Sequence, residues 1–202
     1  MVNWAIRKIT NSELKKIVDV HIESLPDDVL PCLGLNVLRE YYKKIISDKT
    51  QVILGAVSEN QLLGFIQISI KPINFYEMFF NMDGLIAIFR MALFQPGKFY
   101  LGVMQALKKQ GINKDSAEIS IIAILPKYQG KSIGRYLIHY AGQLCFSRNI
   151  KYLQTKTANE LLLAYYIREH SAELLSSYEL QGRRYSEVKW TTLTENKNKC
   201  SG

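Results

Sequence analysis

Cysteine is scarce in this chain, and its few positions form no pattern. The three cysteines, Cys32, Cys145 and Cys200, are an odd number without the close spacing of a disulfide framework or a zinc site. Their spacing argues against a small disulfide-stabilised domain and against a metal centre, so we predict no bound metal. A reducing cytoplasmic environment is the natural expectation for such a chain.

Long uninterrupted hydrophobic runs are also missing. The most apolar stretch, residues 71–115, is broken by Glu77, Asp83, Arg90 and Pro96 in every window long enough to cross a bilayer. Residues 1–10 read as a short charged strand rather than a signal peptide. We therefore expect no stable membrane insertion, although contact with a membrane interface stays open as an alternative.

Two familiar nucleotide-binding loops are absent. The Walker pattern Gly-x4-Gly-Lys-Ser/Thr fails because Leu125 stands where its first glycine belongs, five residues before Gly130. The dinucleotide fingerprint Gly-x-Gly-x-x-Gly does not occur. These absences argue against a P-loop nucleotidase and against a Rossmann-type dehydrogenase.

What is present points to one basic globular domain. The 202 residues are 48% hydrophobic, enough for a sizeable core, and carry a formal net charge of +8. The Lys and Arg residues are scattered rather than striped, which favours small polyanionic ligands over nucleic acid. We expect a single domain over residues 1–192 and a flexible tail over residues 193–202.

The most informative segment begins at Glu118. An apolar strand runs to Leu125 and stops at Pro126, which cannot continue a ladder. A Gly/Lys/Ser loop follows and opens into an amphipathic helix. Free backbone N–H groups at a helix start, with Lys and Arg nearby, bind phosphate groups. The segment therefore predicts a phosphorylated ligand.

This loop resembles the coenzyme A pyrophosphate loop of the GNAT superfamily of acyl-CoA-dependent N-acyltransferases, written Gln/Arg-x-x-Gly-x-Gly/Ala. Gln129 and Gly134 are in register, and Ser132 replaces the first glycine. Ser132 is expected to be tolerated if its position is already helical, where its hydroxyl can cap the helix or bind phosphate.

The resemblance implies acetyl-CoA or a short hydroxyacyl-CoA as cosubstrate. Backbone N–H groups near Ile124 and Leu125 would polarise the thioester carbonyl. The cofactor-binding residues that it implies are Ile124, Leu125, Gln129, Gly130, Lys131, Ser132, Ile133, Gly134, Arg135 and Asn159.

The order of elements matches the same family. The sequence predicts a strand, two helices, a hairpin, a strand, the helix 133–147, the strand 152–157, a helix and a last strand near residues 185–190. The resemblance implies an α/β fold with a mixed central sheet and helices on both faces. Residues 71–115 form a helical insertion between the third and fourth strands. Whether this insertion shapes the acceptor pocket or a subunit interface, as in a homodimer, stays open.

The family resemblance also assigns chemical roles. Glu118 is the expected general base for the incoming amine, and its burial is expected to raise its pKa. Ser120, two residues further on the same strand face, could hold a water. Tyr166 follows Asn159 by seven residues and is the expected acid for the leaving thiolate, with the adjacent Tyr165 as the alternative.

The acceptor is less closely specified. The segment from Leu33 to Tyr42 resembles GNAT enzymes of bacterial surface-polysaccharide biosynthesis, which implies a nucleotide-linked amino sugar such as a dTDP-amino-dideoxyhexose. Acylation of a peptide, amino acid or polyamine is the alternative reaction, and a non-catalytic CoA-binding module is the alternative of another class. Candidate acceptor-binding residues are His21, Glu23, Asp27, Tyr41, Tyr185 and Trp190.

Overall fold

The structure is a computed structural model that describes residues 3–73, 82–107, 115–180 and 182–192. Its strands are β1 (Ala5–Lys8), β2 (Gln51–Ser58), β3 (Gln61–Ser69), β4 (Ser116–Ile124), β5 (Tyr152–Thr157), β6 (Glu173–Leu180) and β7 (Arg183–Thr191). Its α-helices are α1 (Leu14–Ser24), α2 (Val29–Cys32), α3 (Leu35–Ser47), α4 (Met82–Phe94), α5 (Pro96–Leu107), α6 (Ile133–Ser147) and α7 (Glu160–His170). Single 3-10 turns lie at Asn11–Glu13 and Pro126–Tyr128.

The strands form one mixed sheet in the order β1-β2-β3-β4-β5-β7-β6. β4 and β5 run parallel, and the other neighbouring strands run antiparallel. This confirms the predicted α/β fold class with a mixed central sheet. The helix 133–147 and the strand 152–157 are confirmed residue for residue.

The prediction of a single last strand is wrong, because β6 precedes β7 and pairs with it as an edge hairpin. The insertion after β3 contains the two helices α4 and α5 within its described residues 82–107. Residues 74–81 and 108–114 of the insertion, and the predicted tail 193–202, lie outside the described residues. None of the helices in the described part of the chain is long and apolar enough to span a membrane.

Apolar side chains cover both faces of the sheet. On the face that we call the α1–α3 face, Ile17 of α1 and Leu38 of α3 pack over Phe65 of β3. On the opposite α6–α7 face, Leu137 of α6 packs over β-strand residues such as Leu153. A smaller apolar cluster joins α2 to α4. The β4–β5 region is where the strands of the sheet separate.

Such a separation occurs between β4 and β5. The parallel pairing runs from Ser116 opposite Tyr152 to Ile119 opposite Thr155, whereas β4 continues to Ile124. The register of β4 against β3 shifts at the same place, so Ser120 is the extra residue of a β-bulge. The bulge therefore marks where β4 stays with β3 and diverges from β5.

Candidate active site

The loop that begins α6 offers a row of unused backbone donors. Gly130 and Ser132 have positive φ angles of 73° and 62°, and the first helical hydrogen bond runs from the Tyr136 N–H to the Ser132 carbonyl. Within the described part of the chain, none of the N–H groups of residues 130–135 has a hydrogen-bond partner. Such amides at the positive end of a helix bind phosphate oxygens. The loop therefore fits a diphosphate.

Ser132 corrects one expectation from the sequence. Its backbone is left-handed rather than helical, and its hydroxyl makes no capping hydrogen bond. The left-handed conformation costs a residue with a Cβ about 1–2 kcal/mol. The left-handed backbone explains why the family has glycine at this position, and Ser132 adopts the same backbone at a cost in stability.

Positive side chains surround this loop. The Nζ atoms of Lys127 and Lys131 lie 5.0 and 5.1 Å from the centre of the Tyr128 ring. Arg135, in the first turn of α6, lies over the Tyr165 ring and 3.5 Å from the Glu169 carboxylate. These three cations add a positive field to that of the helix start.

The end of β4 corrects a second expectation. The Leu125 N–H donates to the Leu63 carbonyl of β3 at 3.0 Å, so it is not available to polarise a thioester. The Ile124 carbonyl accepts from the Gln129 side chain at 3.0 Å, on the side away from β3. Because backbone groups alternate along a strand, the N–H groups of Ile122 and Ile124 face the gap towards β5. Ile122 was missed from the sequence because the bulge that fixes this alternation has no sequence signature.

Asn159 lies between the end of β5 and the start of α7. Its Oδ1 atom accepts from the Leu162 N–H at 3.1 Å and caps α7. Its side-chain NH2 group lies on an exposed residue and makes no hydrogen bond within the described residues. The side chain thus has a structural task and retains a donor for a ligand.

Glu118 belongs to a row of polar side chains on the α1–α3 face. Directly paired residues of neighbouring strands share a face, and the ladder pairs these residues in sequence across the sheet: Gln51, Ser69, Glu118, Gln154, Lys189 and Glu173. Ser69 links the row to the bulge, because its hydroxyl lies 2.6 Å from Gln51 Oε1 and 2.7 Å from the Ser120 hydroxyl. The half-buried Glu118 therefore lies within this row of polar side chains, next to the gap between β4 and β5.

Two further buried groups lie near Glu118. The Tyr41 hydroxyl bonds Gln67 at 3.0 Å, and burial raises the pKa of Tyr41, with the negative charges of Asp28 and Glu118 adding to the increase. Sequence reasoning missed Gln67 and Gln154, because glutamines on strands rarely signal a site.

Tyr166 lies on the opposite face of the sheet. Its ring is fully buried and stacks on Trp190 at 4.8 Å. Its hydroxyl has no hydrogen-bond partner among the described residues. Burial raises the pKa of Tyr166 above its ordinary value, so the hydroxyl keeps its proton at neutral pH. A buried donor without a partner is one that a ligand can satisfy.

Tyr165 occupies a different environment. It is half-buried, its ring lies near Arg135, and its hydroxyl lies 3.3 Å from His170 Nε2. His170 was not foreseen; burial lowers its pKa, and its Nδ1 atom is buried without a partner in the described chain. Of the two tyrosines, Tyr166 has the donor that nothing else uses.

The predicted acceptor residues do not come together. His21 is fully buried, and its Nε2 lies 2.9 Å from Asp28 while its Nδ1 contacts the Tyr42 hydroxyl, so it holds α1, α2 and α3 together. Tyr41 is buried on the inner side of α3. The third buried member, Trp190, lies in the core of the α6–α7 face.

The other three acceptor candidates are accessible but dispersed. Glu23 is exposed on α1. Asp27 precedes α2, and its Oδ1 atom lies 3.9 Å from Lys98 Nζ. Tyr185 stacks on Tyr178 within the edge hairpin. A cavity of about 480 Å³ instead opens between the α2–α3 junction and α4, and Asn36, Arg90 and Gln95 are the polar members of its lining.

The sequence matches the family model described as the acetyltransferase (GNAT) family over residues 15–170. The chain belongs to this family. It is therefore an acyl-CoA-dependent N-acetyltransferase, and acyl-CoA is its cosubstrate. The unused amides of residues 130–135 and the gap between β4 and β5 fit that cosubstrate.

Solved structures agree on the fold. The ribosomal-protein-S18-alanine N-acetyltransferase of Escherichia coli has a TM-score of 0.61 and 10% identity, over 97% of this chain and 98% of its own. The PaiA N-acetyltransferase of Thermoplasma acidophilum, solved with coenzyme A, has a TM-score of 0.54 and 15% identity, over 93% and 99%. A spermidine N-acetyltransferase chimera from Vibrio cholerae and hSSAT has a TM-score of 0.57 and 17% identity, over 94% of this chain and 95% of its own. No curated protein matches the chain by sequence.

Proposed function

We propose that this acetyltransferase acylates the amine of a nucleotide-linked amino-deoxy sugar, such as a dTDP-amino-dideoxyhexose, by direct attack in a ternary complex. The observation that supports the chemistry is the position of two groups on opposite faces of the sheet. Glu118 lies on the α1–α3 face, and the hydroxyl of Tyr166 is buried on the α6–α7 face without a partner in the described chain.

Groups on opposite faces of the sheet suit the reaction, because one proton leaves the amine and another is donated to the thiolate. The amine nitrogen attacks the thioester carbonyl carbon, a C–N bond forms and the C–S bond breaks. Glu118 accepts the proton that the amine loses, directly or through a water near Ser120. Tyr166 donates to the departing thiolate from the other side of the sheet. The products are an amide and free coenzyme A.

The cavity between the α2–α3 junction and α4 supports a large polar acceptor, whose amine would extend from there to Glu118, since none of the lining residues belongs to β4 or β5. A cavity of about 480 Å³ falls within the usual range of about 300–1,000 Å³ for small-molecule sites. Arg90 supplies a guanidinium to its lining, and Asn36 and Gln95 supply amides. Guanidinium groups bind phosphate well, which suits a nucleotide diphosphate. The net charge of +8 favours an anionic acceptor as well.

The proposal is tested by release of free thiol from acetyl-CoA and from short hydroxyacyl-CoAs in the presence of different amines. Amino-sugar nucleotides should stimulate release, and polyamines, amino acids and peptides should not. Stimulation by a peptide or polyamine, with none by an amino-sugar nucleotide, would show that the acceptor class is wrong.

A variant tests the assignment of the cavity. Asn36→Trp should fill the cavity and raise KM for the nucleotide sugar without changing the Kd of coenzyme A, because Asn36 is exposed at the cavity wall. Asn60→Trp, in the exposed β2–β3 turn, is the matched control and should leave both constants unchanged. Equal KM values for the two variants would place the acceptor elsewhere.

A further inference from the structure

A series of hydrogen bonds between polar side chains runs through the sheet beside Glu118. Ser120 Oγ lies 2.7 Å from Ser69 Oγ, and Ser69 Oγ lies 2.6 Å from Gln51 Oε1. Gln51 Nε2 in turn donates to the Lys71 carbonyl at 2.9 Å. Gln51 and Ser69 are exposed by only 2% and 1%, so these hydrogen bonds are shielded from exchange with water.

The direction of each hydrogen bond follows from the Lys71 carbonyl. A carbonyl only accepts, so the Gln51 atom that faces it is the amide nitrogen, and Oε1 faces Ser69. Because Oε1 also only accepts, Ser69 donates its single hydroxyl hydrogen to Gln51. The hydrogen between the two serines therefore belongs to Ser120, which donates to Ser69. Only the lone pairs of Ser120 Oγ are left for a further hydrogen bond.

These lone pairs lie next to the proposed base. Ser69 pairs with Glu118 in the β3–β4 ladder and contacts Ser120, so all three side chains share the α1–α3 face. The parallel ladder of β4 with β5 ends at Ile119, the residue before Ser120. Ser120 is half-buried and accepts no hydrogen bond from within the described chain. Its oxygen is therefore open to a ligand group that donates.

We infer that Ser120 accepts a hydrogen bond from the amine of the acceptor, and that Ser69 and Gln51 are positioning residues that prevent Ser120 from donating to that amine. This inference rests on the proposed attack of the amine beside Glu118, but it does not depend on which amine is the acceptor.

The direction of this hydrogen bond matters for the reaction. A neutral amine nitrogen has a single lone pair, and it needs that pair to attack the thioester carbonyl carbon. A hydroxyl that donated to the nitrogen would occupy the lone pair. Ser120, whose hydrogen is held by Ser69, instead accepts from an N–H of the amine and leaves the lone pair free.

The test compares kcat and KM for the amine in variants that affect different parts of the series. Ser120→Ala removes the hydrogen bond and should raise KM about tenfold or more, as expected for a hydrogen bond to an ammonium group. Ser69→Ala keeps the Ser120 hydroxyl but frees its hydrogen to donate to the amine. It should lower kcat about three- to tenfold without raising KM, because the amine must break a neutral hydrogen bond before it attacks.

Gln51→Leu gives the same result by a second route, and it serves if Ser69→Ala does not fold. Without Gln51 Oε1, Ser69 can donate to Ser120, and the Ser120 hydrogen is again free. This variant should therefore also lower kcat without raising KM, although both serines are intact. Thermal melting shows which variants are folded.

Ser177→Ala is the matched control, since Ser177 and Ser186 form another pair of serines across neighbouring strands, with Oγ atoms 3.2 Å apart. It should keep the wild-type kcat and KM. The amine is whichever of dTDP-4-amino-4,6-dideoxyglucose, spermidine and a peptide with an N-terminal alanine releases thiol fastest. Failure of the nucleotide sugar alone would therefore count against the proposed acceptor and leave this test in place.

Neutron diffraction from deuterated crystals of the free enzyme needs no acceptor. We expect deuterium on Ser120 Oγ, directed at Ser69, and deuterium on Ser69 directed at Ser120 would overturn the inference. A Ser120→Ala variant with the same kcat and KM as Ser177→Ala would do the same. So would a Ser69→Ala variant that raises KM and keeps its kcat, because Ser69 would then only support the fold around Ser120.

Discussion

Replacing Tyr166 by phenylalanine should make the enzyme more stable and less active at once. The substitution removes one hydroxyl and keeps the ring, which is fully buried and stacked on Trp190 at 4.8 Å. A buried polar group without a partner costs about 1–3 kcal/mol. Removing it should raise the free energy of unfolding by about 1 kcal/mol, which for a chain of this size corresponds to a Tm increase of about 2–4 °C.

Activity should move in the opposite direction. If the hydroxyl protonates the leaving thiolate, its loss should lower kcat by about 10²–10⁴-fold, the usual range for a general acid. The affinity for coenzyme A should stay the same, since the ring and the loop at residues 130–135 are untouched. Thermal melting without ligand, calorimetry with coenzyme A and thiol release measure these three quantities.

Tyr165→Phe is the matched control on the neighbouring residue. Its hydroxyl already has a neighbour in His170, so its removal should not stabilise the protein, and kcat should change little. A Tyr166→Phe variant that melts below wild type, or that keeps its kcat while Tyr165→Phe loses activity, would refute the assignment of Tyr166.

Three other predictions concern the proposed base, the phosphate loop and the buried Tyr42. Glu118→Gln should lower kcat at neutral pH by about 10²–10⁴-fold with an unchanged Kd for coenzyme A, whereas Glu23→Gln should match wild type in thiol release. Ser132→Gly should raise Tm by removing a left-handed conformation worth about 1–2 kcal/mol, partly offset by unfolded-state entropy; Ser147→Gly, at a helical position, should lower it. Burial raises the pKa of Tyr42 above the value of about 10 that it has in the unfolded chain. The free energy of unfolding should therefore keep its full contribution from Tyr42 below that pH and lose it as the pH rises further. Ellipticity would report the unfolding, and tyrosinate absorbance would report the titration.

The sequence was sufficient for the elements with strong local signals. Pro126 ends the strand, and the helix from Ile133 to Ser147 and the strand from Tyr152 to Thr157 appear with the predicted bounds. β6 was missed because most of it is exposed, and an edge strand with one open side shows no apolar alternation. The helix prediction thus rests on periodicity, which the edge strand lacks.

The acceptor residues were harder to predict for a physical reason. The sequence around a helical histidine does not show whether its side chain faces solvent or a carboxylate. His21 lies against Asp28 in the structure. Similarly, Trp190 reads as a stacking surface, but its strand turns it into the core beside Tyr166. Which side of an element a polar residue occupies depends on the packing of distant segments, and local spacing does not report it.

One inserted residue connects the two sides of the site. Had β4 kept its register with β3, the parallel ladder with β5 could have continued past Thr155, and the N–H groups of Ile122 and Ile124 would have had partners. The bulge at Ser120 ends that ladder and shifts the later side chains of β4, so that Ile124 faces α6. Ile124 then packs so closely on α6 that a Cβ at Gly134 would lie 3.0 Å from its Cδ1 atom. The start of α6, with its unused amides, is thereby packed against the same strand that carries Glu118.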